Sequence, residues 1–321
     1  MAYKRDDAIK YAEKYWNIPC HDGIFWLSDE GINVAQKHKE LKAPEADGWV
    51  AMFVKGDPPE PEKAVFRRTT AAGIEEKIIN GWAGLADCAH YLSNCLTAGG
   101  AAVKERGVAG LVETLRGRSD TKTLCEKAPR DRAQRVIDSG IFKKGDMIGY
   151  FNVDPNGDFG RLNSYTHSTM YVGKLDAAGI GGVTCHTVAR FPPKSWVEDS
   201  WWLHPGYKYT LIHFSADDPA PAANKVAELA GWWKLDYGGV TEYYYILKDG
   251  RARYSKKAPA SAKDNLMAGE GSAYWFIDVR GAVTFCWRAT GTVEVWSPVP
   301  GGVNFKSMIN GVVPGTLAKL F

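Results

Sequence analysis

Apolar residues recur at helical spacing in two places near the front of the chain and at strand spacing over most of the remainder. Ala8, Tyr11, Ala12 and Tyr15 stand three or four residues apart, which predicts an opening helix with Asp6 or Asp7 as N-cap. In GWAGLADCAHYLSNCLTAGG (81–100), Cys88, Tyr91, Leu92 and Cys95 fall on one helical face, and Gly99–Gly100 supplies the C-cap. Between the two helices, KGDPPEPEKA (55–64) reads as a Pro-rich loop. From residue 141 the period changes. KKGDMIGYFNV, HSTMYVG, VTCHTVARF and YKYTLIHF read as strands, separated by turn residues between Asn152 and Asp158 and by GIGG at 179–182. One helix feeding an antiparallel sheet predicts an α+β arrangement.

SADDPAPAAN (215–224) has the composition of a linker. Beyond a short helical run the chain is nearly all strand-like, in aromatic-rich segments such as GWWKLDYGG and SAYWFIDVRGAVTFCWR. Lys248 to Arg251 predicts one hairpin turn and Arg280-Gly281 a second. The expected organisation is a first domain over 1–215, a linker and short helix over 216–230, and a small antiparallel β-barrel over 231–321. Because neighbouring strand residues face opposite sides, Tyr243, Tyr244 and Tyr245 cannot all be core. Some aromatics are therefore expected at the surface, where they would bind a glycan, a ligand or a partner protein; a purely structural cap is the alternative.

Composition narrows the classes. The 321 residues carry 40 Lys and Arg against 37 Asp and Glu, a net +3, with no basic run, so nucleic-acid binding is not expected. No apolar stretch is long enough for a membrane-spanning helix, and MAYKRDDAIKYAEKYW has charges where a signal peptide needs an apolar core. The protein is expected to be cytoplasmic as synthesised. Six scattered cysteines without a CxxC pair point to neither a disulfide framework nor a cysteine zinc site, and no metal or other cofactor is expected.

Among the cysteines, Cys88 opens a helix, where the first-turn N–H groups and the helix dipole stabilise a thiolate. A thiolate needs a base. His167 begins one predicted strand and His186 sits in the next, so on adjacent antiparallel strands His167 would take the thiol proton and His186 would orient its ring. Core or surface packing is the competing reading for all three. Cys95 reads as packing, and Cys185 faces away from His186 by alternation. His21 with Cys20 and Asp22 is a poor metal site, because adjacent residues rarely share a coordination sphere. His90, His204 and His213 read as ordinary loop or packing residues.

DCAHYLSNCL resembles the nucleophile helix of the NlpC/P60 superfamily. A Gly-Asp strand (Gly145 to Ile148), a His-initiated apolar strand ending in Gly (His167 to Gly173) and a further His come after it in order. The chain is similar in particular to the bacterial putative-amidase family of that papain-like group. It shares the A-x-x-Y-A-x-x-Y helix (Ala8, Tyr11, Ala12, Tyr15), the HS-x-x-x-V strand (His167, Ser168, Val172) and the HT pair (His186, Thr187). It departs at Ala89-His90, where the superfamily usually has Ser-Gly, and at Val188-Ala189, where the HTTD continuation is lost.

The resemblance, over roughly 1–215, implies a papain-like domain with the nucleophile helix on an antiparallel sheet. It implies amide cleavage through a Cys88 acyl-enzyme, with His167 and His186 as partners and peptidoglycan stem peptides as substrate. The oxyanion would be held by the Cys88 N–H and one further donor, and Trp82, Trp196, Trp201 and Trp202 are candidates for the groove wall. The C-terminal module is similar to a small lipocalin-like barrel. An antibacterial effector delivered outside the general export route, with an immunity or delivery protein as partner, fits these implications. The alternatives are a deamidase, protease or acyltransferase toxin using the same site, and a binding protein with a vestigial one.

Overall fold

The computed structural model describes the chain except at Met1 and residues 17–23, 29–37, 43–49, 55–62, 81–87, 106, 156–161, 175–180, 186–189, 196–205, 219–222, 265–270, 278–281, 299–304 and 310–312. Two compact units result. One comprises Met1–Thr121 and Lys143–Lys208, the other Lys122–Phe142 and Tyr209–Phe321. The change of unit therefore does not fall at 215–224. Residues 122–142 and the strand before the expected linker group with the barrel.

The α+β, papain-like expectation for the chain is overturned. The described residues are mostly β, with nineteen strands against five helices, and no papain-like helix-on-sheet domain is evident among them. Part of the difference comes from residues 20–80, which the periodicity left unassigned. They contribute β1 (Ile24–Ser28) paired with β2 (His38–Lys42), and a meander of β3 (Val50–Val54), β4 (Lys63–Thr70) and β5 (Gly73–Asn80). In the β4–β5 register Arg67 stands opposite Glu76 and Arg68 opposite Glu75. Mixing charge with β-branched residues in this way suits a strand but hides it from an apolar count. Most of the predicted Pro-rich loop lies outside the described residues.

In the first unit α1 (Arg5–Tyr15) buries Ala8 and Ala12, as the spacing requires, but starts at Arg5 with no side-chain cap. Its N-terminus is held elsewhere. The Lys4 N–H donates to Gly99 O (2.7 Å), the Tyr3 hydroxyl to Gly145 O (2.8 Å), and Arg5 Nη1 to Lys144 O (2.8 Å) and Asp146 Oδ1 (2.6 Å). The second helix, α2 (Cys88–Ala98), ends at the predicted glycines. Gly100 takes φ +91°, with the Ala101 N–H on Leu96 O (2.9 Å) and the Gly100 N–H on Thr97 O (2.8 Å). That bond pair is a Schellman motif, and its left-handed residue is where glycine costs least. After α3 (Val108–Arg116), antiparallel strands run in the order β10 (Arg190–Ser195), β9 (Gly181–Cys185), β8 (Ser164–Lys174), β7 (Met147–Asn152).

The second unit contains β6 (Thr121–Ala128), α4 (Arg130–Asp138), β11 (Tyr207–Phe214) beside β6, α5 (Ala223–Leu229) and a closed eight-stranded barrel. The barrel runs through β12 (Gly231–Tyr237), β13 (Val240–Ile246), β14 (Arg251–Ser255), β15 (Ser272–Ile277), β16 (Val283–Trp287), β17 (Thr292–Pro298), β18 (Phe305–Ile309) and β19 (Val313–Lys319). Each strand pairs with the next, and β19 closes on β12. The turn at 248–251 falls where predicted; Arg280-Gly281 lies outside the described residues.

Alternation sends Trp233, Leu235, Tyr244, Trp275, Phe285, Trp287, Trp296 and Leu317 into one core, against which Leu229 and Val226 of α5 pack. The Trp233 Nε1–H donates to Leu229 O at 2.7 Å, anchoring α5. The expected surface display of aromatics is mostly absent. Trp232, which points away from the barrel core, is also buried, with its ring 5.0 Å from that of Tyr245. Tyr243 and Tyr245 are half-buried.

Candidate functional site

Cys88 is the first residue of α2, and eight of the eleven positions of that helix are buried, including Cys88 at 6% exposure. The backbone N–H groups of such a first turn have no partner within the helix and favour negative charge beside them. Packing fixes the helix firmly. The Tyr91 hydroxyl, one turn after Cys88, donates to Ala12 O (3.1 Å) and lies 3.2 Å from Thr184 Oγ1 on β9. Burial pushes the Tyr91 phenol well above its ordinary value, so it stays protonated.

His167 lies on β8, with which α2 is in contact, and is 1% exposed. Its orientation is set by register. Tyr150 stands opposite His167, Gly149 opposite Ser168, and Met147 opposite Met170. The His167 and Tyr150 rings are 5.1 Å apart, and Tyr150 Oη is 3.4 Å from Thr169 Oγ1, so these three share one face. On the other face a Cβ at Gly149 would meet Val112 of α3 at 3.3 Å. Thr184, the partner of Met170, receives Tyr91 on that same face. The structure thus brings the helix of Cys88 and the strand of His167 together, while the His167 ring leaves β8 on the face away from Tyr91 and Val112. His186, Thr187, Trp82, Trp196, Trp201, Trp202, His204, Cys20 and His21 lie outside the described residues.

The remaining cysteines behave as packing residues. Cys95, Cys125, Cys185 and Cys286 are buried and form no disulfide. Burial raises both Cys125 and Cys286, the latter to about 12, so neither forms a thiolate near neutrality. His90 is buried with its Nε2 accepting from the Asn94 amide at 3.3 Å. Among the described residues no group of three His, Cys, Asp or Glu side chains is placed to hold a metal ion. No helix among them is long and apolar enough to cross a membrane.

Two clusters escaped the sequence reading, both in the second unit. Buried His213 places Nε2 3.0 and 3.1 Å from the two carboxylate oxygens of Asp218, which Lys122 Nζ approaches at 3.4 Å. The five-residue spacing of His213 and Asp218 across the end of a strand was the available signal. The other is Glu294, fully buried within the barrel. Its signal was a lone acid in TVEVWS, at a position whose neighbours two residues away face the same way. No protein-family model, curated protein or solved structure matches the chain.

Proposed function

We propose that the chain is a thiol-dependent hydrolase of amide bonds in which Cys88 is the nucleophile. The observation that carries this reading is the place of Cys88 at the opening of a buried, tightly fixed helix. The first-turn N–H groups of a helix favour a thiolate at its opening, a feature that Cys125 and Cys286, buried on strands, lack. In the proposed reaction the Cys88 thiolate attacks the amide carbonyl and the Cys88 N–H helps hold the oxyanion. The amine leaves with a proton, and water then hydrolyses the thioester. Peptidoglycan stem peptides as the substrate class rest on the resemblance of DCAHYLSNCL and its companion motifs alone.

His167 as the base is supported by sequence order and by the contact of α2 with β8; the register of β7 and β8 argues against it. The experiment is digestion of purified peptidoglycan by wild type, Cys88→Ala and His167→Ala, with fragments identified by mass. Iodoacetamide mapping of the cysteines accompanies it. Cys88→Ala should abolish cleavage in a folded protein, and Cys88 should alkylate fastest near neutral pH. Cleavage that survives Cys88→Ala overturns the proposal. Cleavage that survives His167→Ala removes only His167 from it.

A further inference from the structure

The barrel interior holds one carboxyl among aromatic rings, and its bonding is unusual for an acid. Glu294 Oε1 accepts from Trp296 Nε1 at 2.6 Å and from Ser307 Oγ at 2.5 Å, while Oε2 lies 3.5 Å from Trp287 Nε1. The Tyr244 hydroxyl also bonds to it. These partners come from β13, β16, β17 and β18. We propose that Glu294 is a proton-operated staple, which holds the barrel closed while its carboxyl is neutral and loosens it as the carboxyl ionises.

No cation is bonded to Glu294 among the described residues. Among the described residues, the ionisable groups facing it are Tyr237 on β12, Glu242 and Tyr244 on β13, and Tyr254 on β14. Inward residues of β15, β16, β18 and β19 such as Trp275, Phe285, Ser307 and Leu317 are uncharged. Lys319, at the α5 end, gives its Nζ to Glu228 O, and Arg132 of α4 donates to Thr292 Oγ1 at 3.1 Å. Two acids therefore flank the Tyr244 hydroxyl, which also donates to Glu242 Oε2 at 3.5 Å. Tyr244 can so relay a proton between buried Glu294 and half-buried Glu242. Burial raises the Glu294 carboxyl above its ordinary value, more than its four hydrogen-bond partners lower it.

Between the ordinary and the raised value the closed barrel keeps a proton that an open chain has released. Closure is therefore fullest in acid and weakens as pH rises through the raised value. The test is hydrogen exchange of β12–β19 peptides in the full chain from about pH 5 to about pH 9, corrected for intrinsic rates, on wild type and Glu294→Gln. The amide keeps the shape and accepts at one oxygen but has no proton to lose.

Wild-type protection should fall by up to about tenfold per pH unit across the ionisation, the slope of one linked proton, and Glu294→Gln should lack that slope. Equal profiles, or protection that rises with pH, overturn the proposal. If Glu294→Gln does not close, infrared spectra of the wild type decide. A protonated-carboxyl C=O band that fades together with protection supports the staple, and no such band overturns it.

Discussion

Each unit buries a carboxyl, and the two are held by opposite means. Asp146 in the first unit is fully buried against the Arg5 guanidinium at 2.6 Å, with a second bond from the Lys143 N–H at 2.7 Å. Glu294 in the barrel is buried as deeply and has indole and hydroxyl donors. The ion pair joins segments 141 residues apart in sequence. Neutral donors leave Glu294 free to keep its proton, so one carboxyl is tied to a cation and the other makes a pH-dependent tie.

The largest effect is expected where the ion pair is cut. Asp146→Ala leaves the Arg5 guanidinium buried without its counter-charge, which should cost about 3–5 kcal/mol. Denaturant unfolding of the variant checks this, and a loss below about 1 kcal/mol would make the pair an ordinary surface contact. Next comes Trp296→Phe. It removes the 2.6 Å indole bond to Glu294 with a modest loss of volume, so we expect about 1–3 kcal/mol, read as faster exchange confined to the barrel strands. If the proton on Glu294 matters, that loss should grow as pH rises; a pH-independent loss would equate the two carboxyls.

The smallest is Gly100→Ala. A Cβ there meets nothing nearer than Ala2 O at 3.7 Å, so the cost is conformational only, about 1 kcal/mol at φ +91°. It calibrates the other two, since neither carboxyl takes part. A shift in melting temperature measures it.

Legibility tracked how local the determining physics was. The α2 helix and its end were readable because a glycine pair and a four-residue apolar stripe lie within one stretch of sequence. The barrel was readable because its strands pair in chain order around aromatic alternation. Its aromatic burial was misjudged for a physical reason: β12 is covered on both sides, so Trp232 and Trp233 are both buried although they point oppositely. The strands between 24 and 80 carry charges at paired positions and were invisible to an apolar count. At the candidate site, sequence order made Cys88 and His167 look like partners. Which face of β8 His167 occupies depends on its register with Tyr150, a long-range property that spacing along one strand does not encode.

The closing pair of the barrel has a consequence for its synthesis. Seven of its eight strand pairings join sequential neighbours, whereas Trp233 to Asp236 must meet Thr316 to Lys319. During translation the hairpins can zip as they emerge, but β12 keeps an open edge until β19 has left the ribosome. Until then the Trp233 side of that curled sheet is exposed to wrong partners. Truncating the chain before β19 should therefore convert a closed, edgeless domain into one prone to strand exchange between copies.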